Sequence, residues 1–370
     1  MLYLAKTTKR SLRCHIFIDE PIIKLCLLKA VFVKDKETVT VNELSSPKVG
    51  TGDILVRMKA CGLCGSDIEK VYGDYGMSSG RLGHEPSGVI VSVGDLVSGY
   101  SIGERVFLHH HVPCYSCHLC RHGDYTMCTM FHSSNIEPCG LSEEILVPSW
   151  NISRGGVLKL PPNMGFEKAA LIEPLACCVR ALNKCSTLKG DDIAILGAGP
   201  AGIMLALLAQ SIGCGKIFLI DINQFRLDLT KKHCQVECLN ISRRQNAEEI
   251  IKGATGGRGV DISVVATSSP SAMVQSFNLT RRAGKIILFG VPSRGTPLTL
   301  DASMIYSNEW SLIPSYAASE VETNQACSLL HNNRIDIDWI ITHRFNLRRA
   351  EEAIMCAHQA KDSMKVVVTA

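Results

Sequence analysis

From Leu28 onward the apolar positions fall into short runs rather than long helical stretches. Lys29–Val33, Ile54–Met58 and Ser87–Val93 concentrate or alternate β-branched residues between Gly, Pro and Asp, and each reads as a strand. This β-rich character continues to about Val147 and then gives way. From about Cys178 strand and helix alternate: a strand at Asp192–Leu196, a helix of small apolar residues, a strand at Lys216–Asp221, and a charged helix around Leu227–Cys234. Further strands are expected at Val260–Ala266 and Lys285–Phe289. Such alternation predicts a parallel sheet with crossover helices. Beyond Ser315 the spacing predicts helices near Glu322–His331 and Arg349–Gln359 and a closing strand at Met364–Val368.

Composition narrows the class. A chain of 370 residues suggests two domains, at about 100–200 residues each. The net charge of +4 is small and its positive residues are scattered, which speaks against a nucleic-acid partner. The longest apolar stretches fall short of a membrane span. Seventeen cysteines is an odd count, and the basic first 27 residues do not read as a secretory signal, because Lys24 interrupts their apolar run. A cytoplasmic, reducing location is therefore expected, with clustered cysteines on metal and scattered ones in the core.

Three constellations carry chemistry. Cys114, Cys117, Cys120 and Cys128 are spaced closely enough to close a tetrahedron of thiolates around one Zn²⁺. A closed site of this kind is structural; unrelated cysteines or a zinc ribbon are the competing readings. A second, distributed set comprises Cys64, His84, Glu85 and Glu173, a mixed group suited to a catalytic zinc with an open position. Taken singly, Cys64 also reads as core and His84 as a turn histidine. The third is Gly197-Ala-Gly199-Pro200-Ala201-Gly202 between a strand and a helix, with Asp221 ending the next strand. That context predicts a dinucleotide site: glycines for the tight turn and close approach, helix amides for the pyrophosphate, and Asp221 on the ribose hydroxyls, favouring NAD over NADP.

Together these residues resemble the zinc-containing medium-chain alcohol dehydrogenase family, in its sorbitol and threonine dehydrogenase branch, over nearly all of residues 28–370. The resemblance implies an α/β molecule: a GroES-like β-barrel catalytic domain and a Rossmann domain with a doubly wound parallel sheet. Its implied boundaries are 28–177 for the catalytic domain with its structural-zinc lobe (114–128), 178–317 for the NAD-binding domain, and 318–370 for a return to the catalytic domain. It makes Cys64 and His84 catalytic-zinc ligands, Glu85 a ligand or swinging second carboxylate, and Glu173 a further ligand. Ser66 matches the hydroxyl residue beside the reacting alcohol, Asp67 the acid that orients the zinc-bound histidine, and Arg226 a residue reaching the adenosine ribose. Two zinc ions per chain, NAD, and a homotetramer or homodimer follow from it.

Three positions depart from the family pattern: Glu69 in place of a relay histidine, Glu144 in place of a tyrosine, and the run His109-His110-His111, of which His110 is expected to line the substrate pocket or to be a buried strand histidine. Relatives usually begin Met-Lys-Ala where this chain reads Leu28-Lys29-Ala30, so residues 1–27 are expected to be a non-native or disordered extension. The expected reaction is hydride transfer to NAD from a secondary alcohol or polyol, sorbitol-, sugar- or cyclitol-like, with Ser66 passing the proton outward. The competing readings are threonine-type amino-alcohol oxidation and a zinc- and NAD-binding relative without catalysis.

Overall fold

Alternation along the first strands puts one face of each into a common core. The computed structural model describes residues 27–73, 80–243 and 246–370, so the expected extension lies outside them except for Leu27. A hairpin of β1 (Leu27–Asp35) and β2 (Thr38–Ser45) precedes β3 (Ile54–Gly62), whose Ile54, Val56, Met58 and Ala60 are buried while Arg57 and Lys59 face out. Antiparallel neighbours follow: β4 (Glu85–Val93), β5 (Arg105–Leu108), β6 (Glu144–Val147) and β7 (Val157–Lys159).

The second sheet is parallel, with β8 (Ile193–Leu196), β9 (Ile217–Asp221), β10 (Glu237–Asn240), β11 (Val260–Val265), β12 (Thr280–Leu288) and β13 (Ser311–Pro314). Its spatial order is β10-β9-β8-β11-β12-β13, the doubly wound order of a dinucleotide-binding sheet. All four residues of β8 are buried, as a strand covered on both faces must be. The order reverses beside β8, so the crevice at the C-terminal ends of β8 and β11 is where such a sheet receives its ligand.

The chain then returns to the first sheet. β14 (Ile341–Asn346) and β15 (Lys365–Thr369) pair in parallel, and β15 lies antiparallel to β3 over Ala60–Gly62. β6 pairs with β3 over Ile54–Arg57. Together β6 and β15 complete one edge of β3 from both halves of the sequence. The helix Ile172–Lys184 runs unbroken across the expected boundary at 177/178 and packs on both the helix Pro200–Ile212 and the helix Glu320–His331. Its buried face belongs to one apolar core that continues from Ala60 and Phe107 to Ile195 and Val264, so the two sheets are joined by packing rather than by a linker.

Candidate active site

β3 delivers the first site residue. It ends at Gly62, and Cys64 caps the N-terminus of α1 (Gly65–Tyr72) in extended conformation. Asp67, three residues into the cap, is fully buried and accepts the N–H of Cys64 at 3.1 Å and the N–H of Gly83 at 3.0 Å. Its carboxylate also lies 3.4 Å from Nδ1 of His84. One side chain thus fastens the Cys64 turn to the His84 turn and leaves Nε2 of His84 to face the site. Burial would push Asp67 up, but His84, Lys70 and the Gly83 N–H hold it well below the usual carboxylate range. Cys64 rather than Ser66 holds the N-cap of α1. Ser66 sits half-buried in the first turn, one residue past Gly65.

Cys64, His84 and Glu85 bring ligand atoms within 4.8 Å of one another, a donor set of sulfur, nitrogen and oxygen that suits zinc. Glu173 is buried at the start of the helix Ile172–Lys184 but stands outside that group of three; its Oε1 accepts the thiol of Cys177 at 3.4 Å. Glu85 is engaged by a residue that sequence reasoning missed. Lys365, on β15, places Nζ 2.7 Å from Glu85 Oε1 and 2.6 Å from Oε2, and both side chains are buried. Burial alone would lower Lys365, but Glu85, Cys64 and Glu173 keep it protonated. A Cβ on Gly62 would stand 1.8 Å from Glu85 Oε2, so glycine there makes room for the pair. Cys177 and Tyr316 were missed as well. Burial, with Cys177 and Glu173 nearby, raises the Tyr316 phenol, while His84 lowers it.

The four lobe cysteines also come together within 4.8 Å. Cys114 Sγ lies 3.9 Å from Cys120 Sγ and 3.6 Å from Cys128 Sγ. A tetrahedron with Zn–S of about 2.3 Å has sulfurs about 3.8 Å apart, so the cradle fits the ion. Hydrogen bonds from Ser116 and the Cys117 N–H lower Cys114 to about 5, the thiolate a metal needs. Phe131 fills the small core under the lobe.

The histidine run lies just past β5, in a loop rather than a strand. His109 is buried and His110 half-buried, with the His110 ring 5.2 Å from that of His84. Nδ1 of His110 is buried and has no hydrogen-bond partner. Burial, with His111, His84 and His109 around it, keeps His110 neutral. Glu144 is taken up by Arg57 at 3.3 Å and the Ser46 hydroxyl at 2.8 Å, so its contacts are with the sheet.

In the parallel sheet Gly197 turns at φ +111°, where a Cβ would meet the Ala266 carbonyl at 2.8 Å. A Cβ on Gly202 would overlap the Gly197 carbonyl at 1.8 Å, which explains the third glycine. Gly199 caps the following helix and Pro200 opens it, leaving amides free for an anion. Asp221 accepts the N–H groups of Ala198 at 2.5 Å and Asn223 at 2.7 Å. It therefore ties down the glycine turn. Arg226 is anchored by the Ser363 carbonyl and holds a guanidinium nitrogen 3.6 Å from where a Gly199 Cβ would be. That position is beside the glycine turn.

A dinucleotide crevice beside a Cys–His–Glu group defines an oxidoreductase that uses zinc and a nicotinamide cofactor. Residues 50–162 match the alcohol dehydrogenase GroES-like domain and residues 200–332 the zinc-binding dehydrogenase domain. The chain is 30% identical to the sorbitol dehydrogenase of Bombyx mori over 346 residues, 89% of this chain and 95% of that one. It is 28% identical to the L-threonine 3-dehydrogenase of Vibrio cholerae over 322 residues, 85% and 91% of the two chains. A zinc-binding dehydrogenase structure from Sinorhizobium meliloti, bound to NADP, superposes with a TM-score of 0.83 at 25% identity, covering 93% of this chain and 99% of that one. The protein belongs to the zinc-containing medium-chain alcohol dehydrogenase family.

Proposed function

We propose that this protein oxidises a secondary alcohol within a polyol, sugar or cyclitol, using NAD. The observation that carries the polyol reading is the unpartnered Nδ1 of His110 beside His84. A buried polar atom left unpaired is costly, and a hydroxyl next to the reacting one would satisfy it. Cys64, His84 and one or both of Glu85 and Glu173 hold the catalytic zinc, and Cys114, Cys117, Cys120 and Cys128 hold a structural zinc, giving two per chain. When bound, the zinc lowers the pKa of the alcohol and the nicotinamide accepts the hydride. Ser66 carries the alcohol proton outward. Asp67 keeps His84 in the orientation and tautomer that present Nε2, and raises its basicity. Lys365 balances the charge of Glu85 while that carboxylate is off the metal. Gly197, Gly199, Pro200, Ala201 and Gly202 cradle the pyrophosphate with Arg226, and Asp221 favours NAD.

None of the fifteen described cysteines is in a disulfide, which supports a reducing cytoplasmic setting, and we expect a homotetramer or homodimer there. No described helix is long and apolar enough to cross a membrane. The decisive experiment measures NADH production on polyols, sugars, cyclitols, threonine and simple secondary alcohols, alongside elemental analysis of the same sample. Turnover of polyols with about two zinc ions per chain is the expected result. Turnover of threonine alone would overturn the polyol reading, and zinc without turnover on any alcohol would overturn catalysis.

A further inference from the structure

The three consecutive histidines do unequal work. Nδ1 of His109 donates to Oε1 of Glu320 at 2.6 Å, and the other oxygen of Glu320 accepts the hydroxyl of Tyr115. Glu320 is buried and is the first residue of the helix Glu320–His331, whereas Tyr115 lies in the lobe between Cys114 and Cys117. At the far end of the run, Nδ1 of His111 donates to the carbonyl of Ser134, shortly past the last lobe cysteine. From behind, Nδ2 of Asn151 donates to the carbonyls of His109 at 3.3 Å and His110 at 2.9 Å. Both outer histidines are therefore pinned through Nδ1 and the shared main chain through Asn151, whereas Nδ1 of the middle imidazole is buried without a hydrogen-bond partner.

We propose that Glu320 is a positioning residue, through which the four-cysteine lobe holds His110 against the catalytic centre and so sets recognition of the substrate's second hydroxyl. Tyr115 adopts φ +58°, a region that a residue with a Cβ rarely enters. Cysteines on either side hold it there, and its hydroxyl is the lobe's link to Glu320. A buried carboxylate with a histidine on one oxygen and a phenol on the other is fixed in direction from two sides. His109 is consequently fixed too, and His110 inherits its place from it. The lobe thus contributes to specificity in addition to stability. This inference rests on the polyol reading of the site.

The test uses the full-length, zinc-loaded enzyme with Glu320→Ala, His110→Ala and the double variant, each on a polyol and on 2-propanol. Glu320→Ala is expected to raise KM for the polyol about tenfold, the loss of roughly one hydrogen bond, with kcat changed by less than about twofold. KM for 2-propanol should change by less than about twofold, because it has no second hydroxyl. The double variant should be no worse than His110→Ala alone, since one effect passes through the other. Tyr115→Phe, which leaves the His109–Glu320 bond in place, should give a smaller rise of the same kind and covers the case in which Glu320→Ala fails to fold. A crystal structure of a Glu320 or Tyr115 variant should show the His110 ring moved from its 5.2 Å separation from His84. Independent KM effects in the double variant, equal rises for both alcohols, or an unmoved ring would each overturn the proposal. A wild type that does not prefer polyols would instead sink the polyol reading, and the position of the ring would still decide the role of Glu320.

Discussion

Lys365 and Glu85 form a buried ion pair, Nζ to Oε1 2.7 Å, between the strand β15 that pairs with β3 and the residue next to His84. Neither side chain has water to fall back on. Glu85 therefore depends on Lys365, or on a bound cation, for its charge, and Lys365 depends on the acidic groups beside it, Glu85 first.

Replacing Lys365 with Met leaves Glu85 buried and unpaired, which costs about 3–5 kcal/mol. A bound Zn²⁺ would supply the missing positive charge, so the loss should be smaller in zinc-loaded than in zinc-stripped protein. Denaturant midpoints measured both ways check this. Equal losses would mean that Glu85 stays clear of the metal in the resting enzyme.

Ser66→Ala should lower kcat by about 10²–10⁴-fold, the usual contribution of a positioned proton-transfer group. Because Cys64 holds the N-cap place of α1, the stability change should stay within about 0.5 kcal/mol. Thermal melting and steady-state kinetics on one preparation separate the two effects. A variant with full kcat would remove Ser66 from the proton path.

Asp221→Ser should lower the preference for NAD by about tenfold or more, because the charge that opposes a 2′-phosphate disappears. The same change also removes acceptors from the Ala198 and Asn223 N–H groups, so binding of both cofactors should weaken. Asp221→Asn, which keeps one acceptor, should lose less. Kd values for NADH and NADPH by fluorescence titration provide the readout, and a wild type that already prefers NADP would refute the assignment.

His111 carries a pH prediction. Burial holds it down to about 4, despite the Ser134 carbonyl that favours its protonated form. In the unfolded chain it titrates near 6.5, about. Its native pKa is depressed, so stability is complete above about 6.5 and falls as pH drops toward about 4, by up to roughly 3 kcal/mol. In His111→Gln, which keeps a donor for Ser134, this acid loss should be shallower. Melting temperatures from pH 7 to 4 for both zinc-loaded proteins give the difference, and parallel curves would exclude His111 as a source.

Most of the fold was legible because it is written in local pattern. The strand at Ile54–Met58 is a short β-branched run bounded by Gly and Asp, and the helix near Glu322 is announced by Ser319 and Glu322, which form a capping box. β12 begins at Thr280, ahead of the expected Lys285, because its first residues are polar. Arg281 is paired with Asp261 at 2.6 Å, and Ala283 takes a positive φ at an irregularity in the pairing with β11. The ligand sets could be read because cysteine and histidine spacing is a chemical signature. Glu320 and Lys365 could not, since each acts on a partner far away in sequence. Lys365 did leave one trace, a lone charge at the head of an apolar strand, where a buried lysine demands a partner.

The end-to-end arrangement of β6 and β15 along β3 sets an order for biogenesis. On the ribosome β3, β4 and β6 emerge early, yet the edge of Ala60–Gly62 that faces away from β4 stays unpaired until β15 is made, after the entire parallel sheet. During that interval Glu85 lacks its lysine. The cofactor-binding unit, contiguous in sequence, is free to fold first. The nascent catalytic half is thus an open-edged sheet, a form prone to unwanted strand pairing, until β15 closes it.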